Sequence, residues 1–96
     1  MSTFLFTYRS PQNNAPPSPE AMAAWGSWLE SMGPRLVDRG NPVSERQTLG
    51  NCDDTRLGGY SLVNADSLEE AVALAQGCPG LERGGGVEVG ALSDVS

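Results

Sequence analysis

The stretch "YSLVNADSLEEAVALAQGCPGLERGGGVEVGAL" (Tyr60–Leu92) holds a strand, a helix, a glycine-rich turn and a second strand. Tyr60–Ala65 is rich in aromatic and branched residues and predicts a strand behind Gly58-Gly59. Asp66 and Glu69 have the spacing of a capping box at a helix start. Leu68, Ala71, Val72 and Ala75 then fall at i, i+3, i+4 and i+7, which predicts one buried stripe. On this reading Leu68 and Val72 belong to the helix–sheet core. Gly77 suits the position just past the helix end, and Pro79 prevents continuation. Gly80 and Gly84–Gly86 let the chain turn back where φ is positive. The last strand, Val87–Leu92, alternates Val87, Val89 and Ala91 against Glu88, Gly90 and Leu92.

Upstream, Thr3–Arg9 ("TFLFTYR") predicts a strand with Phe4, Phe6 and Tyr8 on one face. A Pro/Asn/Ser loop follows. Ser18-Pro19-Glu20 opens a helix: serine caps, proline suits the first helical position, and the acid favours the positive end of the dipole. Met22, Trp25, Leu29 and Met32 form its apolar stripe, so Trp25 and Leu29 are core candidates, while Trp28 lies to one side and reads as partly exposed or at an interface. Gly33-Pro34 ends the helix, and "PRLVDRG" reads as one or two further turns. Ser44–Leu49 ("SERQTL") reads as the second strand and Gly50–Thr55 as a hairpin loop. The order is β-α-β-β-α-β, the split βαβ of a ferredoxin-like α+β fold. It places two helices on one face of a four-stranded antiparallel sheet, in a single domain spanning 1–96.

The chain has 96 residues, 12 acidic and 6 basic, and a net charge of −6. All six basic residues are arginines (Arg9, Arg35, Arg39, Arg46, Arg56 and Arg83), scattered without a basic run. Nucleic-acid binding needs clustered positive charge, so no nucleic-acid partner is expected. The start "MSTFLFTYRS" lacks a cationic segment, and no apolar stretch is long enough to span a bilayer, so the expected compartment is the cytoplasm and no membrane association is expected. There, Cys52 and Cys78 are read as free thiols.

Four segments together, "PEAMAAWGSWLESMG", "LVDRGNP", "GYSLVNADSLEEAVALAQGCPGL" and "GGGVEVGAL", resemble the YCII-related (DGPF-type) proteins. The likeness covers nearly the whole chain except the loop after the first strand and Arg46–Leu57. The resemblance implies a ferredoxin-like dimeric α/β barrel, in a family most of whose members have no assigned activity. Some YCII-like members carry a His–Asp pair. Its histidine aligns near Met22 here and its aspartate near Cys78, and a relative of this subgroup has histidine where this chain has Gly80. This chain contains no histidine, so the pair does not carry over.

That absence also removes the commonest general base and transition-metal ligand. Ser–His–Asp and Cys–His nucleophile pairs are ruled out, two separated cysteines do not make a zinc site, and no metal or cofactor is expected. Asp53-Asp54 lacks the alternating oxygen ligands of a calcium loop. Gly84–Gly86 follow a helix and open a strand, the reverse of a phosphate loop, and read as a turn. Cys78 follows a helix C-terminus, whose negative potential disfavours a thiolate. Asp38 and Asn41 suit turn chemistry. Glu88 sits mid-strand opposite the valines, on the open sheet face, where Tyr8 and Tyr60 are expected to join it.

No catalytic residue is assigned. The candidate ligand-binding residues are Tyr8, Trp25, Asn41, Tyr60 and Glu88. The first functional reading is a non-catalytic small-molecule-binding or protein-interaction domain. The alternative is a cofactor-independent isomerase or lyase that uses a carboxylate–tyrosine pocket on the sheet face. Two helices cover only one face of the sheet, and two strands are apolar or aromatic on both faces, Phe4, Phe6 and Tyr8 opposing Leu5 and Tyr60 and Leu62 opposing Val63, so the uncovered face predicts a homodimer packed sheet against sheet.

Overall fold

The computed structural model describes residues 2–11, 18–52 and 55–93. Asp53-Asp54 and most of the loop after the first strand lie outside them. The chain runs β1 (Ser2–Pro11), α1 (Pro19–Ser31), a 3₁₀ turn (Gly33–Arg35), β2 (Leu36–Asp38), β3 (Thr55–Ala65), α2 (Leu68–Ala75), a second 3₁₀ turn (Pro79–Arg83) and β4 (Gly86–Ala91). The sheet order is β2-β3-β1-β4, and every neighbouring pair is antiparallel. This is the expected ferredoxin-like α+β fold.

β1 is central and alternates as its sequence requires. Phe4 and Phe6 are buried, with Phe6 opposite Ser61 of β3 and Val89 of β4. Tyr8 follows on the same face, opposite Gly59 and Val87. Val63 and Ala65 complete this side of the sheet, and both helices pack on it. Burying a phenylalanine this fully contributes roughly 1.5–3 kcal/mol.

The second strand is not where the sequence placed it. Ser44–Leu49 forms neither strand nor helix, and Leu49 is 89% exposed. That segment has one apolar side chain and no face to bury. Leu36–Asp38 pairs with β3 instead, Leu36 opposite Val63, and Leu36 packs against the core. The expected extra helical turns of "PRLVDRG" reduce to one 3₁₀ turn, with Gly33 at φ 55°.

α1 begins as its sequence predicts, with the Ser18 hydroxyl accepting from the Ala21 N–H at 3.2 Å. Its buried stripe is rotated from the expected one. Ala21, Trp28, Leu29 and Met32 are buried, Trp25 is half-buried, and Met22 is 63% exposed. The expectation for Trp28 is therefore corrected. Its ring stacks on Phe6, and its indole N–H donates to the Leu74 carbonyl at 3.1 Å.

α2 is rotated likewise. Its cap is Ser67, not Asp66: the Ser67 hydroxyl accepts from the Glu70 N–H at 3.1 Å. The stripe facing the core is Ala71, Leu74, Ala75 and Cys78, while Leu68 and Val72 are exposed. Placing Leu68 and Val72 in the core is thus overturned. Both sets satisfy the same helical spacing. The small set wins because alanines let the helix backbone approach β1, β3 and β4 closely.

Of the glycines after α2, only Gly84 has a left-handed backbone, at φ 79°. Gly80 lies within the second 3₁₀ turn. Gly85 meets a different need: a Cβ there would stand 2.7 Å from the Arg9 carbonyl. The turn can close onto β1 only with glycine at that position.

Candidate functional site

A cleft of about 500 Å³ opens where α1, the 39–43 loop, the far ends of β1 and β3, and the second 3₁₀ turn meet. Each boundary follows from local structure. β3 carries a bulge at Gly58, left unpaired between Tyr8 opposite Gly59 and Arg9 opposite Leu57, which shifts the register of the last pairs of the ladder with β1. The 39–43 loop starts with a turn in which the Asp38 carboxylate accepts from the Gly40 N–H at 2.8 Å. Gly40 sits at φ 73°, and a Cβ there would overlap the Tyr60 carbonyl. The loop then bridges to β3 through Pro42 opposite Gly59, and the Val43 N–H donates to the Gly58 carbonyl at 2.9 Å.

Aromatic rings form the apolar wall. Tyr8 and Trp25 meet edge to face with centroids 4.7 Å apart, and Trp28 contacts both from the core side. The indole of Trp25 also lies against Gly80, where a Cβ would stand 3.3 Å from the ring. The Tyr8 hydroxyl donates to Ser61 Oγ at 2.8 Å, and Ser61 donates to the Arg39 carbonyl at 2.8 Å. Ser61 is fully buried, and this relay ties the loop to the sheet.

The charge distribution is one-sided. Arg9, Arg39, Arg46, Arg56 and Arg83 all line the cleft, five of the chain's six basic residues. The sixth, Arg35, pairs with Glu70 on α2. Among the described residues no carboxylate lines the cleft.

Among the described residues, the titratable groups along the cleft do not form an acid–base pair. Burial pushes the Tyr8 phenol up to about 12; its bond with Ser61 offsets part of this, and nearby Cys78 adds to it. Tyr8 therefore keeps its proton at neutral pH. Burial also raises the Cys78 thiol, against a smaller opposing effect of backbone hydrogen bonds at Gly80 and Leu81. Neither group is an activated nucleophile. Among the described residues, no three His, Cys, Asp or Glu side chains cluster as a metal site, and no helix is long and apolar enough to cross a membrane.

Of the five candidate binding residues, the structure brings four to this cleft: Tyr8, Trp25, Asn41 and Tyr60. Glu88 is exposed on β4 and borders a second, more open hollow with Arg9, Cys52 and Thr55. The expected grouping of Tyr8 with Glu88 is corrected by the register. Glu88 and Tyr60 both pair with Thr7, whereas Tyr8 pairs with Val87, so Tyr8 lies on the helix-covered face. Sequence reasoning missed Arg9, Arg39, Arg46, Arg56, Arg83 and Ser61. One signal was visible: a chain with no lysine uses arginine for every cation.

No protein-family model matches the chain, and no curated protein matches it. Among solved structures it is similar to the 5-chloro-2-hydroxyhydroquinone dehydrochlorinase TftG from Burkholderia phenoliruptrix AC1100, in complex with 2,5-dihydroxybenzoquinone. The TM-score is 0.65 at 20% identity, covering 97% of this chain and 95% of that one. This likeness shows the fold: two helices over a four-stranded antiparallel sheet in the ferredoxin-like manner.

Proposed function

We propose that this chain is a YCII-related protein that binds a small, flat organic molecule in the Trp25–Tyr8 cleft without transforming it. The observation that carries the reading is the cleft itself: an aromatic wall beside a loop clamped through Ser61, with no acid–base pair along it among the described residues. TftG is a structural neighbour whose ligand, 2,5-dihydroxybenzoquinone, is a flat ring, so that compound is a suitable first probe. Calorimetric titration should give a saturable heat that Trp25→Ala abolishes. Chromatography should recover the compound unchanged. Absence of heat, or heat unaffected by Trp25→Ala, would refute the reading.

TftG is also an enzyme, which keeps a cofactor-independent isomerase or lyase as the second reading. Its residues would be Tyr60 and Glu88, which lie in one row with Thr7 across the open sheet face. Conversion of the probe, lost in Glu88→Gln, would favour it. We further propose a cytoplasmic homodimer joined through that face, where Leu5 pairs with Leu62 and Gly90. Light scattering should report twice the chain mass of 10.1 kDa.

A further inference from the structure

We infer that the molecule held in this cleft is an organic anion: a flat ring whose ionised acid group is gripped at the rim by Arg39, Arg56 and Arg83. The inference rests on the binding reading above and adds the chemical class of the ligand.

In a chain of net charge −6, five of six cations converge on one cleft that no described carboxylate lines. Like charges brought together repel, and solubility is already served by the acidic remainder. A cleft lined by one sign of charge concentrates ligands of the other sign.

The five guanidinium groups divide, within the described residues, into two that are hydrogen-bonded within the chain and three that are not. Arg9 donates to the Thr55 hydroxyl through Nε and Nη2 at 3.2 and 3.1 Å. Arg46 donates to the Leu57 carbonyl at 2.9 Å and also to the Val43 carbonyl. These two have structural work. Among the described residues, the guanidinium groups of Arg39, Arg56 and Arg83 have no hydrogen-bond or ion-pair partner. They come from three separate elements: the loop after β2, β3 beside the bulge, and the end of the second 3₁₀ turn. The Arg39 guanidinium reaches across to α1, 3.9 Å from where a Cβ on Gly26 would stand.

The two walls of the cleft match two parts of one ligand. Arginine offers a planar fork that binds a carboxylate or ionised hydroxyl through paired, charge-assisted hydrogen bonds. Trp25 and Tyr8 offer ring faces and edges to the apolar part of the same ligand. A flat aromatic acid satisfies both walls at once. An inorganic anion satisfies only the arginines, and a neutral ring only the indole.

The test is calorimetric titration of the full chain with two nearly isosteric probes, 2,5-dihydroxybenzoate and 2,5-dihydroxybenzamide. The acid should bind at least about tenfold more tightly than the amide at low salt. The ratio should shrink as salt screens the rim. Arg39→Gln and Arg56→Gln should each weaken the acid more than the amide and so reduce the ratio, with the thermal midpoint in place. Arg35→Gln, outside the cleft, should leave the ratio unchanged. Equal binding of acid and amide overturns this inference and leaves the ring-binding reading standing. If neither probe nor 2,5-dihydroxybenzoquinone binds, both are overturned. If one arginine variant fails to fold, the salt dependence of the acid–amide ratio in the unaltered chain decides.

Discussion

α1 and α2 cover the same sheet face with opposite kinds of side chain. α1 presents two indoles, Trp25 and Trp28, with Leu29; α2 presents Ala71 and Ala75. The small residues bring the backbone of α2 close to β1, β3 and β4, and both alanines are almost completely buried. The large residues hold the backbone of α1 farther off, and its closest approach is chiefly to the second 3₁₀ turn. One end of the sheet is sealed in consequence, and beneath the other a space remains between rings and loop. The cleft is thus a product of side-chain size. Trp28 joins the two halves: it stacks on Phe6, bonds to Leu74 and passes over Gly77, where a Cβ would stand 2.9 Å from its ring.

The comparison is most severely tested at that joint. Trp28→Ala removes a buried ring and the bond to α2, and should cost about 3–5 kcal/mol. A domain of this kind has about 5–15 kcal/mol in total, so the urea midpoint should fall steeply or folding should fail. A midpoint close to that of the unaltered chain would mean that the helices are not coupled through Trp28.

Ala71→Leu tests the sealed side. Ala71 is 0% exposed, so added carbons must push α2 off the sheet, at about 1–3 kcal/mol. An unchanged midpoint would show spare room under α2 and remove the contrast with α1.

The open side is distinguished by pH. Burial raises the Tyr8 phenol in the folded chain to about 12, above its ordinary value of 10.0. A group with a raised folded pKa contributes stability that is complete below the unfolded pKa. That contribution is lost as pH rises through the folded value. Cys78 is raised from 9.0 and acts in the same direction. Stability should therefore decline from about pH 9 towards pH 12, and less steeply in Tyr8→Phe above pH 10. Parallel declines in the two chains would place Tyr8 in contact with solvent.

The smallest effect is expected at Leu68→Ala on the outer face of α2. Leu68 is 50% exposed, and the change should lie within about 0.5 kcal/mol. A large drop in the midpoint would restore Leu68 to the core and rotate α2 back to the stripe its sequence first suggests.

The order of elements was legible because it depends on local signals. Phe4, Phe6 and Tyr8 alternate at strand period, Ser18-Pro19 opens a helix, and Gly77 with Pro79 closes one. Which side of each helix faces inward was not. Leu68/Ala71/Val72/Ala75 and Ala71/Leu74/Ala75/Cys78 have the same spacing, and only the distance between helix and sheet separates them. The second strand eluded sequence reading for a similar reason. Leu36–Asp38 is a short edge strand whose evidence is its pairing with β3, a contact distant along the chain. The site divides along the same line. Trp25, Tyr8, Asn41 and Tyr60 could be named from residue type and position, because aromatic and turn residues declare their roles locally. The arginines could not, since Arg39, Arg56 and Arg83 are scattered along the chain and become one cluster only when the loop, β3 and the second 3₁₀ turn fold together.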